Sequence, residues 1–175
     1  MRFSPGLLLL LPLLSPLAHA ELVDDVFDRG ELRIALEANT PPFNFKDGDK
    51  LTGFEVELGE LLAKEMDVRS SFITTDDADL LPGVATGKYD VAINHIAKTA
   101  DLEDQFDFSE VYREKPDLVI PFQKGNPAFK TSLDGALKRV KEDGRLKALS
   151  QKWFDAEAPT TAAPVPAQPQ VTPAH

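Results

Sequence analysis

The chain reads as α/β: a twisted, mostly parallel sheet with helices on both faces. Three observations carry that expectation. Short β-patterned runs alternate with amphipathic helical stretches in the order β, hairpin, α, β, α, β, then β and two helices. Glycines stand where the helical patterns stop, at Gly30, Gly87 and Gly144. A hydrophobic share of 42% beside 27% charged residues is that of a globular chain, and 175 residues hold one domain with tails.

Taken in order, Leu22, Val23, Val26 and Phe27 fall at helical spacing before Gly30. Leu32 to Leu36 is a short strand. Phe43 to Phe45 and Leu51-Thr52 flank Asp47-Gly48-Asp49, a hairpin turn. From Phe54 the pattern turns helical, with Phe54, Leu58, Leu61, Leu62 and Met66 on one stripe and Glu55, Glu57, Glu60 and Lys64 off it. Val68 to Thr74 is the next strand, Leu80, Leu81 and Val84 mark a short helix, and Tyr89 to Ile93 is another strand. Leu118 to Phe122 is a further strand whose Pro121 signals an edge or an exit. Leu133, Ala136, Leu137 and Val140 line one closing helix; Leu146, Leu149 and Trp153 line the other, which makes Trp153 and Phe154 core.

The two ends differ from this middle. Met1-Arg2-Phe3, the Leu-rich run from Leu7 and the Ala18-His19-Ala20 cut site have the order of a secretory signal peptide over 1–20. The apolar run is broken by Pro12 and Pro16, and falls short of the roughly 20 residues of a spanning helix. Cleavage there removes only Arg2 among charged residues, which moves the net charge from −10 to −11. Residues 158–175 hold five Pro, five Ala and no Asp, Glu, Lys or Arg, the composition of a disordered extended tail. The folding unit is thus 21–157, in a protein expected in the periplasm.

Composition also excludes functions. The acidic balance, 29 Asp+Glu against 19 Lys+Arg, argues against nucleic acid as a partner. The absence of Cys removes disulfides, Cys-ligated zinc and thiol catalysis. No Gly-rich phosphate loop and no Gly-x-Ser-x-Gly elbow occur, so neither a cofactor nor a catalytic residue is expected. His95 has no ligand-type neighbours in sequence and reads as a rim or structural residue rather than a metal ligand.

Several segments resemble the family 3 solute-binding proteins, periplasmic amino-acid receptors of ABC transporters. They are Gly30 to Ile34, Pro41-Pro42-Phe43-Asn44-Phe45, Leu51-Thr52-Gly53-Phe54-Glu55-Val56-Glu57-Leu58, Gly87 to Val91, Phe106-Asp107-Phe108-Ser109 with Tyr112, Lys124 to Pro127, and Lys152-Trp153-Phe154. The resemblance implies a periplasmic-binding-protein type II fold, in which two hinged lobes close on a ligand. Here the stretch after Tyr112 runs directly into Leu118 to Asn126, so the second lobe is absent and a single first lobe is expected.

In open α/β sheets ligands collect at the carboxyl ends of the strands. Those ends are Glu37 to Thr40, Thr74 to Asp77, and Asn94 to Thr99, which makes Glu37, Thr40, Asp77, Asn94, His95 and Thr99 the candidate ligand-binding residues. Against the family pattern, Leu102 stands where a carboxylate-binding Arg is implied, and Thr40 and Asp77 stand where aromatics are implied. Glu37, Asp76, Asp77, Asp79 and Asp101 make the rim acidic, which favours a small cationic solute or amino acid in a weakened or altered site. An ABC permease, a membrane sensor or self-association are the partners this reading admits. The alternative is an exported protein-interaction module that uses the uncovered lobe surface, with Ile96, Leu102, Val111 or Tyr112 exposed.

Overall fold

The computed structural model describes residues 21–155; the signal peptide expected over 1–20 and the tail expected over 158–175 lie outside the described residues. A five-stranded sheet has the order β5-β1-β6-β8-β7, with β1 Glu31–Leu36, β5 Arg69–Thr74, β6 Val91–Ala92, β7 Phe106–Phe108 and β8 Pro121–Gln123. A smaller sheet joins β2 Asn39–Thr40, β3 Asn44–Asp47 and β4 Lys50–Thr52 in chain order. β3 and β4 are the hairpin read around Gly48, while β2 and β7 are too short for a pattern to show in the sequence.

The sheet is mixed. β1 pairs in parallel with β5 over six residue pairs, from Glu31↔Arg69 to Leu36↔Thr74, and with β6 over two. β8 runs antiparallel to both neighbours, through one pair with β6 and three with β7. Parallel pairing dominates, as expected, and the antiparallel margin comes from a chain reversal. Tyr112 N–H donates to the Leu118 carbonyl at 2.9 Å and Leu118 N–H to the Arg113 carbonyl at 2.8 Å, so Glu114 to Asp117 close a tight turn. The strand read at Leu118 to Phe122 is spent partly on this turn, and its ladder begins only at Pro121.

Side chains alternate across the sheet as the period of two requires. Leu32, Ile34, Val91 and Ile93 enter one apolar layer; Ala35 and Ala92 enter the other. The first layer is covered by α1 Leu22–Arg29, α2 Phe54–Glu65, α5 Pro127–Glu142 and α6 Arg145–Ser150. The second is covered by α3 Asp77–Ala85, through Leu80 and Val84, with Phe106 and Phe108 beside them. A short helix α4 spans Ala100–Glu103, and a single π-helical turn, Gln151–Asp155, ends the described chain. Trp153 and Phe154 in that turn are half-buried against the first layer, as their spacing predicts. Among the described residues no helix is long and apolar enough to cross a membrane.

Gly53 fixes how α2 meets the rest. Its φ is 124°, and a Cβ there would sit 2.3 Å from the Phe43 carbonyl oxygen. Only glycine gives this close approach, which lets Phe54 and Glu55 donate their N–H groups to the Pro42 and Phe43 carbonyls at 2.9 and 2.8 Å. The first turn of α2 is thereby tucked under the Pro-Pro-Phe loop, directly below the carboxyl ends of β1 and β6.

Candidate functional site

Glu55 lies in that first turn and is fully buried, where charge patterning along α2 had placed it on the outer face. The helix axis explains the position: a carboxylate at a helix N-terminus meets unpaired amide dipoles. Three donors converge on it. Asn44 Nδ2 donates to Oε2 at 2.5 Å, Tyr112 O–H donates to Oε1 at 2.7 Å, and the His95 backbone N–H also donates to Oε1. Asn44 and Tyr112, like Glu55, were not among the expected site residues. The available signal was the place of Asn44 and Glu55 inside the Pro-Pro-Phe-Asn and Gly-Phe-Glu segments, and of Tyr112 after Phe106-Asp107-Phe108-Ser109, whose polar residues interrupt otherwise apolar surroundings.

From Glu55 the network runs outward to the rim. Asn44 Nδ2 also donates to Asn94 Oδ1 at 3.1 Å, and its Oδ1 accepts the Ala38 N–H at 2.8 Å. Asn94 Oδ1 accepts the Glu37 N–H at 3.0 Å, and Asn94 Nδ2 donates to Glu37 Oε2 at 2.9 Å. The other Glu37 oxygen accepts Asn39 Nδ2 at 3.3 Å, and Thr40 Oγ1 donates to Asn39 Oδ1 at 2.8 Å. The structure therefore joins Glu37, Asn94 and His95 into one connected cluster and sets Thr40 at its edge. Asp77 is exposed at the start of α3, and Thr99 is exposed just before α4; neither side chain is bonded into the cluster.

The backbone at this end is unusual. Ala38 and His95, which follow β1 and β6, have φ of 65° and 42°, a region side-chain-bearing residues rarely enter. Their N–H groups are held by Asn44 and Glu55 respectively. The His95 ring packs against Phe43 with centroids 5.4 Å apart, and its Nδ1 lies 3.7 Å from Glu55 Oε2. That distance is too long for a hydrogen bond, so charge attraction carries the contact. The Glu55 carboxylate holds the imidazole above its ordinary 6.5, against the effect of burial, and Glu37 and Asp77 add to it. Burial, reinforced by Glu55, pushes the Tyr112 phenol well above its usual range, so it stays a donor.

The position where the resemblance implies an Arg carries no cation. Leu102 is half-buried in the second apolar layer, and the nearby Lys98 is paired with Glu103. Of the apolar residues an interaction face would use, Tyr112 is buried, while Ile96, Leu102 and Val111 are half-buried against the second layer. Among the described residues, surface hollows lie away from the rim. One of about 350 Å³ is lined by Leu51, Val56 and Leu61, and one of about 780 Å³ beside the 113–118 turn by Tyr112, Arg113 and Leu146. At that turn the Arg113 guanidinium stacks 3.5 Å from the Phe154 ring centroid and 5.7 Å from that of Phe43.

The described residues form a single α/β lobe with a polar rim at the carboxyl ends of β1 and β6. The sequence model of the bacterial extracellular solute-binding proteins, family 3, matches residues 32–156, and the chain belongs to that family. It is 38% identical over 96 residues to the L-cystine-binding protein TcyJ of Escherichia coli strain K12, covering 54% of this chain and 36% of TcyJ. The chain thus spans about a third of the length of that relative. Among solved structures, the ancestral amino acid-binding protein AncCDT-1, described as a precursor of cyclohexadienyl dehydratase, matches with a TM-score of 0.72 at 21% identity, over 77% of this chain and 100% of that one. The arginine-bound form of domain 1 from TmArgBP matches with a TM-score of 0.64 at 24% identity, over 66% of this chain and 98% of that one. At these identities the structures establish the fold, that of a periplasmic-binding-protein type II domain.

Proposed function

We propose that this chain is an exported, one-lobed relative of amino-acid receptors that holds a small cationic solute, an amino acid or an amine, at the Glu37 rim. The observation that carries this is the presentation of Glu37: Asn94 fixes its carboxylate at the end of β1, while the Arg-like position is a packed Leu102. The rim offers acceptors to a cation, with Asp77 nearby, and no guanidinium to a carboxylate. A pocket that binds tightly encloses about 70–90% of a drug-sized ligand. One lobe presents one wall, so affinity is expected to be modest. That domain 1 of TmArgBP is described in an arginine-bound form supports ligand retention on a lone domain of this fold. The same reading has the leader removed after Ala20, with 21–157 as the folded unit and 158–175 as its tail, and an ABC permease or a membrane sensor as recipient.

Thermal unfolding with arginine, lysine, histidine and putrescine at millimolar concentration, with glutamate as control, tests it. A bound solute at a hundredfold excess over Kd stabilises the fold by about 2.7 kcal/mol. An upward shift with the cationic solutes that Glu37→Gln abolishes is the expected result. Equal shifts with glutamate, or none with any solute, would overturn the assignment.

A further inference from the structure

One carboxylate at the centre of the lobe touches three separate segments. Glu55 Oε1 accepts from the His95 backbone at the rim and from Tyr112 at the chain reversal, while Oε2 accepts from Asn44 in the Pro-Pro-Phe loop. We infer that Glu55 is a positioning residue that couples the rim to the 113–118 turn, and that the charge on His95 sets how firmly the two are held together.

The geometry requires a holding force. His95 keeps a φ of 42°, and a residue with a branched ring system rests there only when its surroundings impose it. Its N–H bond to Glu55 is one restraint, and the ring is the second. Nδ1 is buried without a hydrogen-bond partner and faces the Glu55 oxygen at 3.7 Å. A lone pair aimed at that oxygen would be repelled, so Nδ1 carries the hydrogen, and protonation at the other nitrogen decides whether the ring is a cation. As a cation it is drawn to Glu55 on α2, to Glu37 after β1 and to Asp77 on α3. The opposing charge is Arg113, whose guanidinium lies 5.7 Å from the Phe43 ring centroid, against 5.4 Å for the His95 ring. Tyr112 stays a hydroxyl donor throughout, so it transmits the position of Glu55 without titrating itself. When His95 becomes neutral the charge attraction goes, and His95 is tied to Glu55 by its N–H bond alone, beside the packing of its ring on Phe43.

This coupling needs no solute and stands whether or not the rim binds one. It is read by nuclear magnetic resonance on the isotope-labelled full chain, without ligand, from about pH 5 to about pH 9, the range over which imidazole charge changes. His95→Gln identifies the ring signal against His19 and His175. The expected result is a His95 midpoint above 6.5, with the backbone amides of Asn94, Ala97, Tyr112 and Arg113 shifting at that same midpoint. His95→Gln should remove the shared amide shifts, and Glu55→Gln should lower the ring midpoint. A ring midpoint at or below 6.5, or Tyr112 and Arg113 amides that ignore it, would overturn the inference. Should Glu55→Gln fail to fold, the comparison of the unmodified chain with His95→Gln decides the matter alone.

Discussion

Asp90 and Glu55 are both fully buried carboxylates; the first stands at the entrance of β6, and the second lies beside its exit. At the entrance, Asp90 accepts from Arg29 Nη2 at 2.5 Å, from Arg33 Nη2 at 2.7 Å and from the Arg33 N–H at 2.7 Å. Two permanent cations answer one anion, and Asp90 in turn raises the Arg33 guanidinium further above its already high value. At the exit, Glu55 is answered by an amide, a phenol, a backbone N–H and a single titratable ring. The first arrangement is electrostatically closed and pins the fold; in the second, among the described residues, the one neighbouring cation is His95, whose charge depends on pH. Strand entrances in such sheets are structural and strand exits functional, and here the charge chemistry separates along the same line.

The sharpest way to break this contrast is to neutralise each acid in turn. Asp90→Asn removes the anion from between two guanidinium groups that are each about 30% exposed, 32% and 28%. Loss of a buried pair partner costs about 3–5 kcal/mol, and the partial hydration open to the arginines places this variant near about 3 kcal/mol. Glu55→Gln keeps one acceptor oxygen but turns an NH2 group toward existing donors, for a cost of about 2 kcal/mol. Urea unfolding midpoints at neutral pH measure both. A larger loss from Glu55→Gln than from Asp90→Asn would invert the comparison and make the exit the structural end.

The difference between the ends also explains what could be read from residues alone. Periodicity located α2, α5, the hairpin at Gly48 and the sheet face of Leu32 and Ile34, because burial of apolar side chains imposes those repeats. Glu37, Asn94 and His95 were legible as neighbours because they follow β1 and β6, adjacent parallel strands that end on the same side of the sheet. Glu55 was not. A charged residue off an apolar stripe reads as solvated, and its burial depends on a long-range event, the docking of the Pro-Pro-Phe loop over Gly53, which no local pattern encodes. The antiparallel margin escaped for a related reason: the reversal at Glu114 to Asp117 decides the direction of β8, whose own residues carry no directional signal.

A smaller test concerns the turn that stands where the resemblance places a second lobe. Arg113 covers Phe154 and approaches Phe43, fastening the reversal to the first apolar layer. Arg113→Ala should cost about 1 kcal/mol, the size of a half-exposed cation–π contact with its packing. Arg113 makes no hydrogen bond within the Glu37–Asn94 cluster, so the thermal response to cationic solutes should survive the change. Loss of that response at unchanged stability would mean that the turn itself belongs to the ligand site.

The smallest expected effect separates the two ends by pH. A group whose folded pKa is raised contributes stability that is complete below its unfolded value and is lost as pH climbs through the folded one. For His95 the loss therefore starts near 6.5 and continues upward. A third of the ring faces water, 33%, so solvent screening keeps the effect below about 1 kcal/mol. Arg33 stays charged across the same interval, so the Asp90 end gains no counterpart slope from its cation. Urea midpoints at about pH 6 and about pH 9 should fall slightly for the unmodified chain and stay level for His95→Gln. Equal slopes in both proteins would place the titrating group elsewhere, and the exit of β6 would then be as closed to protons as its entrance.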